Sequence, residues 1–294
     1  EALLSLAHTE KDGGREAAVA LPRAAARIRG FMRIAILGAG NAGSCAALEL
    51  ASRGLSVDLY DENDAPVRRA SFHNEGKVHL GILYARDPSL RTARLMLEGA
   101  FAFAPLLRRW TGLEARDTVF STPFFYAVHE GTMSSPDELK AHYARCTALF
   151  DDAIVAGAEP YLGLDRSMEV EEVGRDALAS LVEPSHFVTA FRTTERAVDP
   201  RVVAERVRDA VLAEPRIRFV GKARVTGVAL LGRGGIDVSF TKDGAPHVER
   251  YDQVANALVV PSAMARGVLT AIHWIHPPPM PTIVCATVAE GMKF

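Results

Sequence analysis

The hydrophobic positions along the chain form blocks that alternate between strand and helix character. The first block is the apolar run at residues 34–37, and a helix-compatible stretch at 44–52 follows after a glycine-rich turn. Residues 57–61 then alternate apolar and polar side chains, which is typical of a strand. This order predicts a β-α-β unit, the building element of a parallel sheet covered by helices.

Further blocks with helical or strand periodicity follow along the chain. Helices are predicted over about 88–104, after the capping box at 135–138, and from Asp199 onward, and Pro105 is expected to kink or divide the first of them. Strands are predicted at 118–128, as three pieces within 216–240 with a turn at 232–235 between the last two, and from 251 to 258.

The turn between the first strand and the first helix carries the pattern Gly38-x-Gly40-x-x-Gly43. In this context the pattern predicts a dinucleotide-binding turn. Gly38 permits the tight turn, Gly40 lets the backbone approach a pyrophosphate, and Gly43 lets the helix pack closely on the strand. The amides and dipole of the helix N-terminus then attract the diphosphate. A glycine-rich turn that binds no ligand is the alternative.

An acidic residue ends the second strand of the unit. Asp61 lies 18 residues after Gly43. That is close to the offset of about 20 residues expected for a carboxylate that binds ribose hydroxyls. Such a carboxylate repels a 2′-phosphate, so an NAD-dependent dehydrogenase that uses only this fingerprint is one alternative. The absence of a prompt third strand after Asp61 argues against it.

Composition narrows the class of function. The chain has 294 residues, of which 48% are hydrophobic and 24% charged, and its formal net charge is −2. This balance gives no electrostatic footprint for nucleic acid or an anionic membrane, and no apolar run reaches the length of a membrane span. The three cysteines are far apart and lack metal-ligand spacing, so no metal site is predicted. We expect a cytoplasmic protein with a small-molecule substrate.

Five segments together resemble FAD-dependent oxidoreductases of the D-amino-acid oxidase, glycine oxidase and sarcosine oxidase type. The first is the fingerprint turn with its helix and Asp61, and the second is the polar loop at 69–81, similar to the family's segment along the pyrophosphate and flavin ring. Residues 191–200, 225–228 and 252–257 resemble the segments that lead into the returning helix, meet the adenine and lie near the ADP moiety. The resemblance covers about residues 32–258.

The resemblance implies that FAD is the cofactor. The residues that it assigns to FAD binding are Gly38, Ala39, Gly40, Asn41, Ala42, Gly43, Asp61, Glu62, Ser71, Asn74, Gly76, His79, Val225 and Ala257. Ser71 and Asn74 offer short polar side chains for phosphate or ribitol hydroxyls, while Gly76 and Gly81 let the backbone approach a planar ring. The alternatives are a solvated loop with incidental polar residues and, for His79, a structural hydrogen-bonding role.

The predicted fold class is α/β. A Rossmann-like FAD-binding domain with the GxGxxG βαβ unit comprises residues 32–104 and returns at 196–258. A mixed α+β, β-rich substrate domain is inserted at 105–195. Residues 1–31 are rich in Ala and Arg without a core pattern, and they are predicted to be a poorly ordered extension.

Residues 259–294 form an atypical tail that departs from the family pattern. The family's final glycine-rich segment, which closes over the flavin, is not visible after residue 258. The C-terminal part is therefore expected to be incomplete, either shortened or changed by a shifted reading frame. A truncated, non-catalytic dinucleotide-binding protein, or a subunit that needs a partner to complete its pocket, is accordingly an alternative to an active enzyme.

The resemblance implies oxidation of an amine or amino-acid-like substrate by hydride transfer to the flavin, with the cofactor carrying the difficult chemistry. Substrate carboxylates in such sites are usually held by arginine or tyrosine. Tyr84, Tyr126 and Arg192 are therefore the candidates for substrate binding, and no catalytic residue is predicted.

Overall fold

A computed structural model describes residues 32–118, 120–180, 183–231, 235–258 and 283–285. The α-helices are α1 (Asn41–Ser52), α2 (Arg69–Phe72), α3 (Arg91–Thr111), α4 (Pro136–Val155), α5 (Arg175–Ala179) and α6 (Pro200–Ala213). The strands are β1 (Arg33–Leu37), β2 (Ser56–Tyr60), β3 (Lys77–Val78), β4 (Phe125–His129), β5 (Val170–Val173), β6 (Phe187–Thr193), β7 (Arg196–Ala197), β8 (Ile217–Val220), β9 (Ala223–Leu230), β10 (Ile236–Lys242), β11 (Ala245–Tyr251), β12 (Gln253–Asn256) and β13 (Ile283–Cys285). Single 3₁₀ turns lie at Ile82–Tyr84, Ala115–Asp117 and Pro184–His186.

The predicted β-α-β unit forms the centre of a parallel sheet with the strand order β12-β1-β2-β8. On one face, Ile36 of β1 belongs to the same buried cluster as Ala47 of α1 and Val207 of α6. On the other face, Leu37 clusters with Phe240 of β10. Since both faces are covered, the strands need apolar residues at successive positions, which explains the run at 34–37. The α/β prediction is confirmed.

The second face of the parallel sheet is covered by an antiparallel sheet with the strand order β11-β10-β9. A polar contact joins the two sheets at one edge. The Asp58 carboxylate of β2 accepts hydrogen bonds from Arg218 of β8 at 2.6 Å and from the Tyr251 hydroxyl of β11 at 2.7 Å. The parallel sheet is therefore covered by α1 and α6 on one face and by the strands that follow α6 on the other.

A separate sheet, β13-β4-β6-β5, lies beside α3 and α4 in the middle of the chain. β4, β6 and β5 pair antiparallel, and β13 pairs parallel with β4. Aromatic contacts fill the core here. The ring centres of Phe101 and Phe150 are 4.9 Å apart, and those of Tyr143 and Phe191 are 5.0 Å apart. This packing joins both helices to the sheet.

The two predicted helix starts are confirmed by their capping geometry. Ser135 and Glu138 form a reciprocal capping box at α4, with Pro136 in the first turn. The Asp199 carboxylate accepts the Arg201 amide at 2.8 Å, and Pro200 opens α6.

The strand predicted at 118–128 is shorter in the structure and lies later. Among the described residues of this range, only those of β4 pair in a ladder, because backbone groups upstream of it make irregular hydrogen bonds. The Ser121 amide donates to the Ala197 carbonyl and the Phe124 amide to the Glu195 carbonyl, each at 2.9 Å. β11 was not predicted, because its sequence, APHVERY, does not alternate apolar and polar residues and only its last residue is buried.

Pro105 does not divide α3, which runs unbroken to Thr111 and ends at the left-handed Gly112. Ala104 and Leu107 are both buried on this helix, so packing on either side of the proline offsets its missing amide. The predicted domain boundary between residues 104 and 105 thus falls inside a continuous helix, and the division into domains stays a prediction.

Several predictions lie outside the described residues. They concern the extension at 1–31, the glycine turn at 232–234, and the tail at 259–282 and 286–294. Within the described part of the chain, no helix is long and apolar enough to cross a membrane.

Gly43→Ala should destabilise the fold strongly, because a Cβ at this position would lie 1.8 Å from the Gly38 carbonyl oxygen. We expect a loss of about 3 kcal/mol in the free energy of unfolding, measured by denaturant titration. Gly99→Ala is the matched control. Gly99 is exposed in α3 with nothing within 4 Å of its added Cβ, so this change should stabilise by about 0.5–1 kcal/mol. Equal effects of the two changes would contradict the packing role of Gly43.

Candidate nucleotide-binding site

A cleft of about 600 Å³ opens at the carboxyl ends of β1, β2 and β12. In open α/β sheets this is the edge at which ligands bind. The lining residues are Gly38, Ala39, Gly40, Tyr60, Asp61, Glu62, Asn63, Arg68, Arg69, Ala70, Ser71, Ala223, Arg224, Val225, Asn256, Ala257 and Leu258.

The three fingerprint glycines have three different environments. Gly38 has φ +98°, and an added Cβ would lie 2.9 Å from the Ala257 carbonyl oxygen. Gly43 packs against the Gly38 carbonyl from inside α1. Gly40 has an ordinary φ of −72°, and within 4 Å its added Cβ would meet only the Ser71 hydroxyl, at 3.2 Å. Gly38 and Gly43 therefore shape the turn, while Gly40 borders the cleft.

The N-terminus of α1 has no side-chain cap. The Asn41 amide donates to the Ser71 hydroxyl at 2.9 Å. The Gly40 amide has no hydrogen-bond partner among the residues that the structure describes. This combination of a free amide, a hydroxyl and the helix dipole suits a phosphate group.

Asp61 holds the turn as well as facing the cleft. Its Oδ2 accepts the Ala39 amide at 2.7 Å, and its Oδ1 accepts the Asn63 amide at 2.9 Å. Oδ1 also accepts the Asn63 side-chain amide at 2.6 Å. Oδ2 accepts one hydrogen bond from the described residues and keeps a lone pair, so it is the oxygen that can also accept from a ligand hydroxyl. The fingerprint turn and the acid that follows β2 are thus bonded directly to each other.

Three arginines line the cleft, and sequence reasoning missed all of them. Two of them, Arg68 and Arg69, directly precede Ala70 and Ser71. Arg68 and Arg69 both line the cleft and are exposed. The Arg69 guanidinium pairs with Glu62 at 2.6 Å and donates to Asn63 at 3.2 Å. Arg68 pairs with Asp64 at 3.5 Å. Each guanidinium has five N–H donors, so both can still donate to a diphosphate.

The opposite wall comes from the returning part of the chain. Ala223, Arg224 and Val225 of β9 stand there, and residues 256–258 follow on from β12. The wall contains Val225 and Ala257, which the sequence assigned to the cofactor. Residues more than 150 positions apart in the chain therefore meet at one cleft.

Six of the assigned residues do not line the cleft: Asn41, Ala42, Gly43, Asn74, Gly76 and His79. The first three form the opening turn of α1. Asn74 shapes its own loop, since it donates to the Ser71 carbonyl and accepts the Gly76 amide, each at 2.7 Å.

Gly76 contacts the returning chain, and His79 contacts the last residue of the predicted inserted segment, rather than the cleft. Gly76 has φ +64°, its carbonyl accepts the Val198 amide at 2.9 Å, and an added Cβ would lie 2.0 Å from the Val198 carbonyl oxygen. His79 Nδ1 lies 3.4 Å from a carboxylate oxygen of Glu195.

Glu195 is a completely buried carboxylate that sequence reasoning missed, although it lies within the quoted segment 191–200. It accepts the Leu80 amide at 2.5 Å and the Tyr126 hydroxyl. Burial, reinforced by this carboxylate, raises the pKa of Tyr126 well above its usual value. Burial likewise lowers the pKa of Lys77 on β3. The Glu195 carboxylate joins the polar loop to β4. Its partners lie far away in the sequence, so no local pattern could have indicated this role.

The three candidates for substrate binding have different environments. Tyr126 is buried and bonded to Glu195, whereas Arg192 is exposed and pairs with Glu171 at 3.0 Å. Tyr84 lies in the 3₁₀ turn after the polar loop, and burial raises its pKa.

A model of the FAD dependent oxidoreductase family, the DAO family, matches residues 33–278, which is more than half of the chain. The chain therefore belongs to this family, and FAD is confirmed as the cofactor that the sequence predicted. No curated protein sequence matches the chain.

Several solved structures share the fold. Iminodiacetate oxidase from Chelativorans sp. BNC1 is 20% identical, with a TM-score of 0.52 over 76% of this chain and 54% of its own. Glycine oxidase from Geobacillus kaustophilus is 18% identical, with a TM-score of 0.52 over 77% and 55%. L-alpha-glycerophosphate oxidase from Mycoplasma pneumoniae, solved with FAD bound, is 16% identical, with a TM-score of 0.50 over 76% and 53%. The chain thus spans about half the length of these proteins.

Gly40→Val should abolish FAD binding without unfolding the chain. The backbone angle at Gly40 suits any residue, but a branched side chain would stand between the free amide and the Ser71 hydroxyl. Binding is measured by equilibrium titration of flavin fluorescence, and folding by circular dichroism. Gly99→Ala is the control, expected to bind FAD like the parent. Parental FAD affinity in Gly40→Val would contradict the placement of the diphosphate at this turn.

Asp61→Asn should weaken FAD binding while the chain stays folded. Asparagine keeps the shape of the side chain, but its NH₂ group would face one of the two backbone N–H groups that donate to the carboxylate. Two donors cannot form a hydrogen bond with each other. We expect a loss of about 1–3 kcal/mol in binding free energy, measured by isothermal titration calorimetry. Asp209→Asn changes an exposed acid on α6 and should leave affinity unchanged. If both variants bind FAD alike, Asp61 has no role in binding.

Proposed function

We propose that this member of the FAD-dependent oxidoreductase family oxidises an amine or amino-acid-like substrate by hydride transfer to its flavin. The observation that carries the proposal is the cleft at the carboxyl edge of the parallel sheet, with an uncapped helix N-terminus at one side and Asp61 at the other. Glycine oxidase and iminodiacetate oxidase, which share the fold, are named for amino-acid-like substrates. This likeness supports the substrate class.

The residues of the cleft fit the dinucleotide part of FAD. The Gly40 amide and the helix dipole would hold the diphosphate, and Arg68 and Arg69 would balance its charge. Asp61 would accept the ribose hydroxyls, and the backbone at Val225 would border the adenine. When bound, FAD supplies the hydride acceptor, and the chain supplies binding and orientation.

Residues 105–195 are proposed as the substrate domain. Glu195 joins β4 to the polar loop, because it accepts hydrogen bonds from the Tyr126 hydroxyl and the Leu80 amide. This contact would hold the loop against the sheet and exclude water from the space between them, because the carboxylate and the Tyr126 side chain are both buried. Substrate would then be bound on the open side of the loop.

The full chain, purified and incubated with FAD, should show the visible absorption bands of oxidised flavin after gel filtration. Under anaerobic conditions, addition of glycine, iminodiacetate or a panel of D- and L-amino acids should bleach these bands with at least one compound. The Gly40→Val variant is the matched control and should remain colourless.

The other outcomes separate the alternatives. A protein that binds FAD but is bleached by none of these amines, while dithionite bleaches it, would contradict the substrate class and favour a non-catalytic nucleotide-binding protein. A chain that takes up NAD and no FAD would favour a nicotinamide-dependent dehydrogenase. Failure to bind either dinucleotide would overturn the proposal.

A further inference from the structure

The loop that brings Ser71 to the cleft contains two non-glycine residues in the left-handed region. Val67 has φ +53° and Arg69 has φ +44°. Left-handed backbone is unfavourable for an L-residue, and a β-branched residue such as valine rarely adopts it. Other contacts must therefore hold this turn in place.

One contact comes from the fingerprint turn itself. The Val67 amide donates to the Ala39 carbonyl at 2.7 Å, and the Val67 side chain is completely buried. The strained turn is thus tied directly to the glycine turn that borders the cleft.

The other contact comes from α6, in the returning part of the chain. The Arg208 guanidinium donates through Nε to the Pro66 carbonyl at 3.0 Å and through Nη2 to the Val67 carbonyl at 3.2 Å. Its central carbon also lies 5.6 Å from the centre of the Phe72 ring. A planar fork can bond both carbonyls and stack on the ring at once, which a lysine ammonium cannot do.

We propose that Arg208 is a positioning residue for the cofactor. It does not line the cleft, but it bonds the two carbonyls that precede Arg68 and Ser71, and these residues do line it. By holding the strained turn, Arg208 fixes the Ser71 hydroxyl beside the Asn41 amide at the helix N-terminus. The loop is then already in the conformation that binds FAD, so less conformational entropy is lost on binding and the affinity is higher. This inference rests on the cofactor site of the proposed function.

The test compares Arg208→Met and Arg208→Lys with the parent chain, using FAD as the probe. Methionine keeps an apolar stem beside Phe72 but donates to neither carbonyl. We expect FAD to bind about tenfold more weakly to Arg208→Met, and Arg208→Lys to be intermediate because it keeps a cation and one donor site. Affinity is measured by titration of flavin fluorescence. Arg206→Met is the matched control, since Arg206 is exposed on the same helix and has no hydrogen bond or ion pair with the described residues.

A thermal readout separates positioning from general stability. Bound FAD raises Tm by an amount that depends on its affinity for the folded chain. A purely structural Arg208 would lower Tm equally with and without FAD, whereas a positioning residue also reduces the rise in Tm that FAD produces. We expect that reduced rise in Arg208→Met, with a partial return in Arg208→Lys.

Parental FAD affinity in both variants, or an unchanged rise in Tm, would overturn the role of Arg208 and leave the proposed function intact. If Arg208→Met does not fold, Arg208→Lys decides: intermediate affinity supports the inference, and parental affinity contradicts it. A parent chain that binds no FAD overturns the proposed function and the inference together.

Discussion

The close approach of Gly43 to the Gly38 carbonyl is the constraint on which the nucleotide-binding side of the structure depends. A side chain at Gly43 would also meet Ala257 from the strand that neighbours β1. Three pieces of chain therefore converge with no room for a methyl group: the turn after β1, the first turn of α1 and the residues after β12. This closeness places the N-terminus of α1 directly at the edge of the parallel sheet, so the helix dipole and the free Gly40 amide face the cleft rather than bulk solvent.

The acid after β2 and the polar loop are hydrogen-bonded to the main chain of this turn. Asp61 accepts the Ala39 amide, the Ala39 carbonyl accepts the Val67 amide, and Ser71 accepts the Asn41 amide. The acid after β2 and the polar loop thus reach the glycine turn through its main chain, which does not depend on the identity of the side chains at those turn positions. A shift of the glycine turn would disturb the two contacts of Ala39, and a shift of α1 would disturb the contact between Asn41 and Ser71.

Local sequence patterns were sufficient wherever one segment fixes its own geometry. The β-α-β unit, the capping box at Ser135 and the Asp199 cap could be predicted because the required residues lie within a few positions of one another. β11 was not predicted, and the strand predicted at 118–128 begins only at residue 125, where β4 starts. In both segments, strand formation depends on the partner strand that lies alongside. Similarly, α3 continues through Pro105 because tertiary packing outweighs a local preference.

For the binding site, the sequence by itself determined the glycine turn and the acid that follows β2, because a dinucleotide-binding turn needs particular residue types at fixed spacing. The choice of FAD came from the resemblance of several segments to one family. Only the tertiary structure decided which polar residues reach the cleft. Arg68 and Arg69 line the cleft, whereas Asn74 and Gly76 are hydrogen-bonded to each other and do not line it. The tertiary structure also buried Glu195 under the polar loop and brought Arg208 across from α6. The physical reason is that these roles arise from contacts between segments far apart in the chain, and burial and hydrogen-bond partners exist only once those segments have packed together.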